Sequence, residues 1–141
     1  MYLIIKKFLF LFDPEFAHHV GMFGLRVINK LGLLSMICEK PKSSPREVFG
    51  IKFDNPVGLA AGLDKNAEYI DIMSKLGFGF LEVGTLTPLP QPGNIKPRSF
   101  RLTKEEAIIN RFGFNNIGID KAIDNIKNTK YSGVLGINIG K

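Results

Sequence analysis

The chain has 141 residues, of which 45% are hydrophobic and 23% charged, and carries a formal charge of +6. This composition is that of an ordinary folded domain and excludes a disordered or collagen-like chain. A single cysteine, Cys38, excludes an internal disulfide and a cysteine-based zinc site. The basic surplus suits an anionic substrate, an anionic membrane face or nucleic acid. It is spread along the chain without a run of five or six like charges, so no nucleic-acid tail is indicated.

The first part, residues 1–39, reads as two helices. Residues 2–12 are apolar apart from Lys6 and Lys7. Asp13-Pro14 then supplies an N-cap and a proline at the first helical position. Phe16, Val20, Phe23, Val27, Leu31 and Leu34 recur at helical spacing and mark one apolar face. A membrane span takes about 20 mostly apolar residues; here His18, His19, Arg26, Asn29 and Lys30 interrupt the longer stretch. A secretory signal fits poorly, because no small-residue cleavage site follows the first apolar run. Both a pair of interfacial helices and a helical hairpin packed on its own domain fit the pattern. Residues 40–47, Lys-Pro-Lys-Ser-Ser-Pro-Arg-Glu, read as a linker.

The rest, residues 48–141, reads as strand, helix, strand, long loop, helix, strand. Val57–Gly62 is a buried strand running into a glycine turn. Residues 67–76 form a helix with Ile70, Met73 and Leu76 inward, stopped by Gly77. Phe80–Thr85 is the second strand. Residues 86–105 form a proline-rich loop, and a helix follows over 117–128 with Ile119, Ile123 and Ile126 on one face. Val134–Ile139 is the third strand. This alternation predicts an α/β fold with a parallel sheet. Three strands cannot close a barrel, which takes about 250 residues, so the sequence is expected to be cut short. The exposed sheet edge is then expected to leave the chain alone molten, aggregated or dimerised.

In such folds ligands meet the carboxyl ends of the strands. The first strand ends in Ala60-Ala61-Gly62-Leu63-Asp64-Lys65, the second in Gly84-Thr85, and the third carries Asn138 between Gly136 and Gly140. These ends are small and polar, with a lysine beside them. They suit a planar, hydrogen-bonding, partly anionic ligand such as a flavin, although tight turns also use Gly, Ala and Asn. Asn110-Arg111-Phe112-Gly113-Phe114-Asn115-Asn116 combines amides that offer donor and acceptor together, which suits a cyclic amide such as a pyrimidine. A helix-entry loop with core phenylalanines is the plain alternative. An RNA-binding aromatic motif is disfavoured: no glycine follows the basic residue, and a second aromatic strand is lacking. His18 and His19 are adjacent and would point about 100° apart on a helix of 3.6 residues per turn; no metal site is expected.

At these residues the chain resembles dihydroorotate dehydrogenase. Asn55–Lys65 resembles the family's first-strand signature. Gly84–Pro88, Pro90–Asn94 and Lys96–Arg98 resemble its next loop, and Asn110–Asn116 and Gly136–Lys141 complete the match. The helical N-terminus is similar to that of the membrane-associated, quinone-using class.

The resemblance implies the N-terminal part of a (β/α)8 barrel holding FMN, preceded by a two-helix amphipathic extension. It implies oxidation of dihydroorotate to orotate in pyrimidine biosynthesis, with ubiquinone or menaquinone as electron acceptor. Peripheral attachment to a membrane through residues 1–38 is implied too, in a bacterium on the cytoplasmic face of the inner membrane. Carried over by motif, Ala61, Gly62, Leu63, Asp64, Lys65, Thr85 and Asn138 would contact FMN. Lys65 would also reach the substrate, and Asn110, Arg111, Phe112, Gly113 and Phe114 would line the orotate site. The family's catalytic base is a serine in a later loop; no motif here matches that loop, so no base is assigned and the 141 residues alone are expected to be inactive. A non-catalytic remnant that binds flavin or a membrane surface is the alternative.

Overall fold

The computed structural model describes residues 2–38 and 41–141. It opens with two helices, α1 (Tyr2–Leu9) and α2 (Pro14–Lys30). Asp13 starts α2: its carboxylate accepts from the amides of Glu15 at 2.9 Å and Phe16 at 3.1 Å, which satisfies two of the helix's free donors. A short third helix, α3 (Leu34–Ile37), follows Gly32 and carries the buried Leu34. The remaining members of the expected apolar stripe do not pack inward: Phe16, Val20, Phe23, Val27 and Leu31 are all exposed. The face of α2 that meets the rest of the chain is built from Ala17 and Met22, with Leu25 partly covered. No described helix is long and apolar enough to cross a membrane.

Residue 40 of the expected linker, like residue 39 before it, lies outside the described residues, and 41–45 carry no regular structure. Arg46 and Glu47 already belong to strand β1 (Arg46–Val48), which forms an antiparallel hairpin with β2 (Ile51–Phe53). These strands are three residues each and almost wholly exposed, so no apolar alternation marks them in the sequence.

The α/β arrangement is as expected. Strands β3 (Gly58–Leu59), β4 (Phe80–Leu86) and β7 (Leu135–Ile139) form a parallel sheet with β4 in the centre. The first strand is only two residues, because the chain turns at once toward β4 and the Gly62 amide donates to the Gly84 carbonyl at 2.8 Å. The following helix is shorter than the expected 67–76. Asp64 holds the amides of Glu68 at 2.9 Å and Tyr69 at 2.7 Å, which keeps 64–69 in a turn. Helix α4 therefore starts at Ile70 and ends at Met73, and a single 3-10 turn, Ser74–Leu76, runs to Gly77, whose left-handed backbone ends it.

The proline-rich loop also hides structure. Within it β5 (Ser99–Leu102) pairs antiparallel with β6 (Ala107–Asn110) in the register Ser99 with Asn110 and Leu102 with Ala107. Helix α5 (Ile119–Lys127) lies where a helix was expected, but its buried residue is Ala122, while Ile123 is exposed. The core is the contact between α2, α4 and the sheet: Met22, Ala67, Ile70, Met73, Leu81 and Val83. Apolar side chains at such positions contribute roughly 1.5–3 kcal/mol each when fully buried.

Candidate functional site

Strand β4 sets the site. Its pairing with β7 is regular from Leu81–Leu135 to Val83–Ile137 and then shifts before Leu86–Ile139. Gly84 and Thr85 sit in that irregularity. The Gly84 amide donates to the Asp64 carbonyl at 3.1 Å, which draws the first loop against the end of β4. The Thr85 hydroxyl donates to Asn138 Oδ1 at 2.6 Å, and Asn138 Nδ2 donates to Glu82 Oε1 at 3.1 Å. The orientation of the Asn138 amide is therefore set by β4 on both sides.

Above this end lies an open cavity of about 350 Å³, lined by Gly62, Lys65, Thr85 and the run Asn110–Asn115. It gathers eight expected site residues: Gly62, Lys65, Thr85, Asn110, Arg111, Phe112, Gly113 and Phe114. Asn138 reaches it only through Thr85, and Ala61 is half-buried off its wall. Leu63 and Asp64 face a second cavity of about 450 Å³, between the strand ends and α2. Asp64 is buried, and its two carboxylate oxygens are already occupied by the amides of the turn. Burial raises its carboxyl pKa, against the lowering effect of those amides.

The two cavities share Gly62, Lys65, Phe112 and Asn115. Lys65 Nζ donates to the Gly62 carbonyl at 2.7 Å and lies 4.8 Å from the centre of the Phe112 ring. Desolvation lowers its pKa; Glu15 opposes this and Arg98 adds to it. His18 and His19 both line the second cavity. Desolvation lowers the pKa of His18, and the charge of Lys65 lowers it further, so its neutral ring is favoured.

Sequence reasoning left three residues without an assigned role, although Asn115 and Asn116 belong to the Asn110–Asn116 motif and Arg98 to the Lys96–Arg98 motif. Asn115 Oδ1 is buried with no hydrogen-bond partner among the described residues while its residue lines both cavities; such an orphaned acceptor in a native fold points to a missing donor. Arg98 is buried and bound to Glu15, with Nε at 3.1 Å from Oε1 and Nη2 at 2.9 Å from the same oxygen. The proline-rich setting of Arg98, and its distance in sequence from Glu15, gave no sign of the pair. Asn116, by contrast, is a loop-builder. Its side chain accepts from the amides of Thr87 and Gly118 and donates to the Thr87 hydroxyl and the Phe114 carbonyl.

The residues present fit a flavin. The smaller cavity offers amides, a hydroxyl, two cations and two aromatic rings, and among the described residues no carboxylate lines it. Gly62 has φ +111°, and a Cβ built on it would meet nothing within 4 Å, so the backbone there is open to a flat ligand. The volume lies within the usual range for small-molecule pockets of about 300–1,000 Å³.

Fold and site together define an α/β protein with a ligand cavity at the carboxyl ends of parallel strands. Residues 44–141 match the family model of dihydroorotate dehydrogenase, and the chain belongs to that family. Over all 141 residues it is 56% identical to a dihydroorotate dehydrogenase (quinone) of Methylobacillus flagellatus and 55% identical to one of Marinobacter nauticus. It spans 42% of the length of each of these relatives. A crystal structure of the enzyme from Eimeria tenella in complex with ferulenol is similar, with a TM-score of 0.76 and 43% identity over 92% of this chain and 36% of that one.

Proposed function

We propose that a protein carrying this sequence oxidises dihydroorotate to orotate, with FMN as the bound hydride acceptor and a quinone as the final oxidant. The observation that carries this reading is the cavity at the strand ends, which collects Gly62, Lys65, Thr85 and Asn110–Phe114 around one space. When bound, FMN supplies the acceptor for the hydride and the route for electrons to ubiquinone or menaquinone.

The chain's own residues hold and orient. Gly62, Lys65 and Thr85 contact the cofactor, Asn138 fixes the Thr85 hydroxyl, and Asn110–Phe114 carry the substrate. Lys65 places a positive charge where negative charge grows during reduction, in a partly desolvated site where such a charge acts strongly. Asn110 and Asn115 offer paired donors and acceptors to a cyclic amide. Ala61, Leu63 and Asp64 support the loop that presents Lys65. No residue of these loops is assigned as the proton-abstracting base.

The exposed apolar faces of α1 and α2, with Lys6 and Lys7 beside them, support attachment to a membrane surface, where a quinone is met. In a bacterium that surface is the cytoplasmic face of the inner membrane.

Lys65→Ala tests the site. Losing a charge-assisted contact costs about 1.5–3 kcal/mol, so FMN or orotate affinity is expected to fall roughly 10- to 100-fold. Binding is read by flavin fluorescence titration of the natural gene product. Unchanged affinity for both ligands, in a variant of unchanged circular dichroism, overturns the assignment of Lys65.

A further inference from the structure

The helical extension is tied into the site by one carboxylate. Glu15, in the first turn of α2, is bound to Arg98 at the start of the β5–β6 hairpin, and its side chain is only 11% exposed. Arg98 also spends Nη1 on the carbonyls of Pro92 at 2.7 Å and Asn94 at 3.1 Å. Arg98 Cζ lies 5.6 Å from the centre of the Phe112 ring, and Lys65 Nζ lies 4.8 Å from the same centre.

Around Arg98 the proline-rich loop is sewn to the segment that lines the smaller cavity. The Arg111 amide donates to the Arg98 carbonyl at 2.8 Å, and the Asn94 amide donates to the Phe112 carbonyl at 3.0 Å. Asn94 Nδ2 donates to the Arg111 carbonyl at 2.7 Å. The approach is close enough that a Cβ on Gly93 would stand 2.2 Å from the Phe112 carbonyl oxygen and 2.6 Å from Arg98 Nη1.

We propose that Glu15 is a positioning residue for the cavity at the strand ends: through Arg98 it holds the Asn110–Phe114 segment and the Phe112 ring in place, so that seating of α2 orders that cavity. The inference rests on the proposed function only in naming what the cavity takes. An arginine fork fits a carboxylate with two parallel contacts and fixed direction, which a lysine at 98 would not supply. Without Glu15, Arg98 keeps its two carbonyls but loses the carboxylate that fixes its guanidinium beside Phe112. Further ties join this region to the extension: Lys96 Nζ lies 3.5 Å from Glu15 Oε2, and Arg101 donates to the Phe12 carbonyl at 2.7 Å and lies 4.4 Å from the centre of the Phe10 ring.

Amide hydrogen exchange with residue resolution tests this on the natural gene product, with no ligand added. Glu15→Ala is expected to raise exchange at least threefold at Asn94 and Arg111, while α5 keeps its protection. A role confined to α2 would raise exchange only near residues 15–17, and that result overturns the proposal. If Glu15→Ala lowers protection in α5 as well, Arg98→Lys is read instead; it is expected to raise exchange at Asn94 and Arg111 selectively, and no change there overturns the proposal equally. A second readout is orotate binding to the FMN-loaded natural product, expected to weaken about tenfold in Glu15→Ala. A natural product that binds no FMN refutes the proposed function, while the exchange result still decides the role of Glu15.

Discussion

Two carboxylates near the site respond to acid in opposite directions. For Glu15, burial alone would raise the pKa, but the hydrogen bonds and charge of Arg98, helped by Lys96, outweigh it and hold the group below its ordinary value. Its contribution to stability is therefore full above the ordinary glutamate pKa of about 4.3 and is lost as pH falls through the lowered one. For Asp64, burial prevails over its amide partners and the pKa is raised. Its contribution is full below the ordinary aspartate pKa of about 3.9 and is lost as pH rises through the raised one. Acidification from neutral pH should thus first relieve the Asp64 cost and then release the Glu15 pair. Denaturant midpoints measured from pH 7 to pH 3 check this: Asp64→Asn should remove the early gain and Glu15→Gln should flatten the late loss. An unchanged acid limb in Glu15→Gln would show that the pair adds nothing to stability. At this scale the sequence marked Lys65, Thr85 and Asn110–Phe114 by residue type and motif, and the structure brings them to one cavity. It did not separate Asn115 from Asn116. The two are chemically identical neighbours, and only the fold decides that one amide is spent on Thr87 at the end of β4 while the other's oxygen finds no partner among the described residues.

Among the elements, α2 carries the clearest pattern and puts it to an unexpected use. Its strongest apolar stripe faces outward, and the inward face uses Ala17, small enough for close approach, and Met22, which fills the irregular surface over α4 and the sheet. Periodicity reveals that a helix has an apolar face, not which partner meets it. Replacing Phe16, Phe23 and Leu31 together by serine should therefore lower co-sedimentation with anionic vesicles several-fold and leave the melting temperature nearly unchanged. Met22→Ala should instead cost about 2–3 kcal/mol, toward the lower end for a buried Met truncation, and leave vesicle binding intact. The reverse pattern would assign the outward stripe to the protein's own core. The hairpins β1–β2 and β5–β6 escaped sequence analysis for a related reason. Their strands are three or four residues long and mostly exposed, so burial imposes no alternation on them. The parallel strands were legible as short apolar runs ending in small residues, and the central one, β4, buries Leu81, Val83 and Leu86.

For the molecule as a whole, the parts that position the site come from distant segments: the extension through Glu15, the first loop through Lys65, the centre of the sheet through Thr85 and the hairpin exit through Asn110–Phe114. The sheet's outer strand leaves Ile137 and Ile139 exposed, with Ile139 at 74%, a surface that in a barrel would face the next element. The chain spans 42% of its curated relatives, and on the proposed reading its residues would hold a flavin and a substrate, with none assigned to take the substrate's proton. The central claim is that this sequence serves dihydroorotate oxidation linked to a quinone. The most direct test is to isolate the natural gene product with an antibody to residues 50–65, assay it for bound FMN, and follow dihydroorotate-dependent reduction of a soluble ubiquinone analogue. The account predicts FMN in the isolated protein and quinone reduction that Lys65→Ala abolishes or slows at least tenfold. A product that folds, carries no FMN and reduces no quinone with dihydroorotate would contradict it.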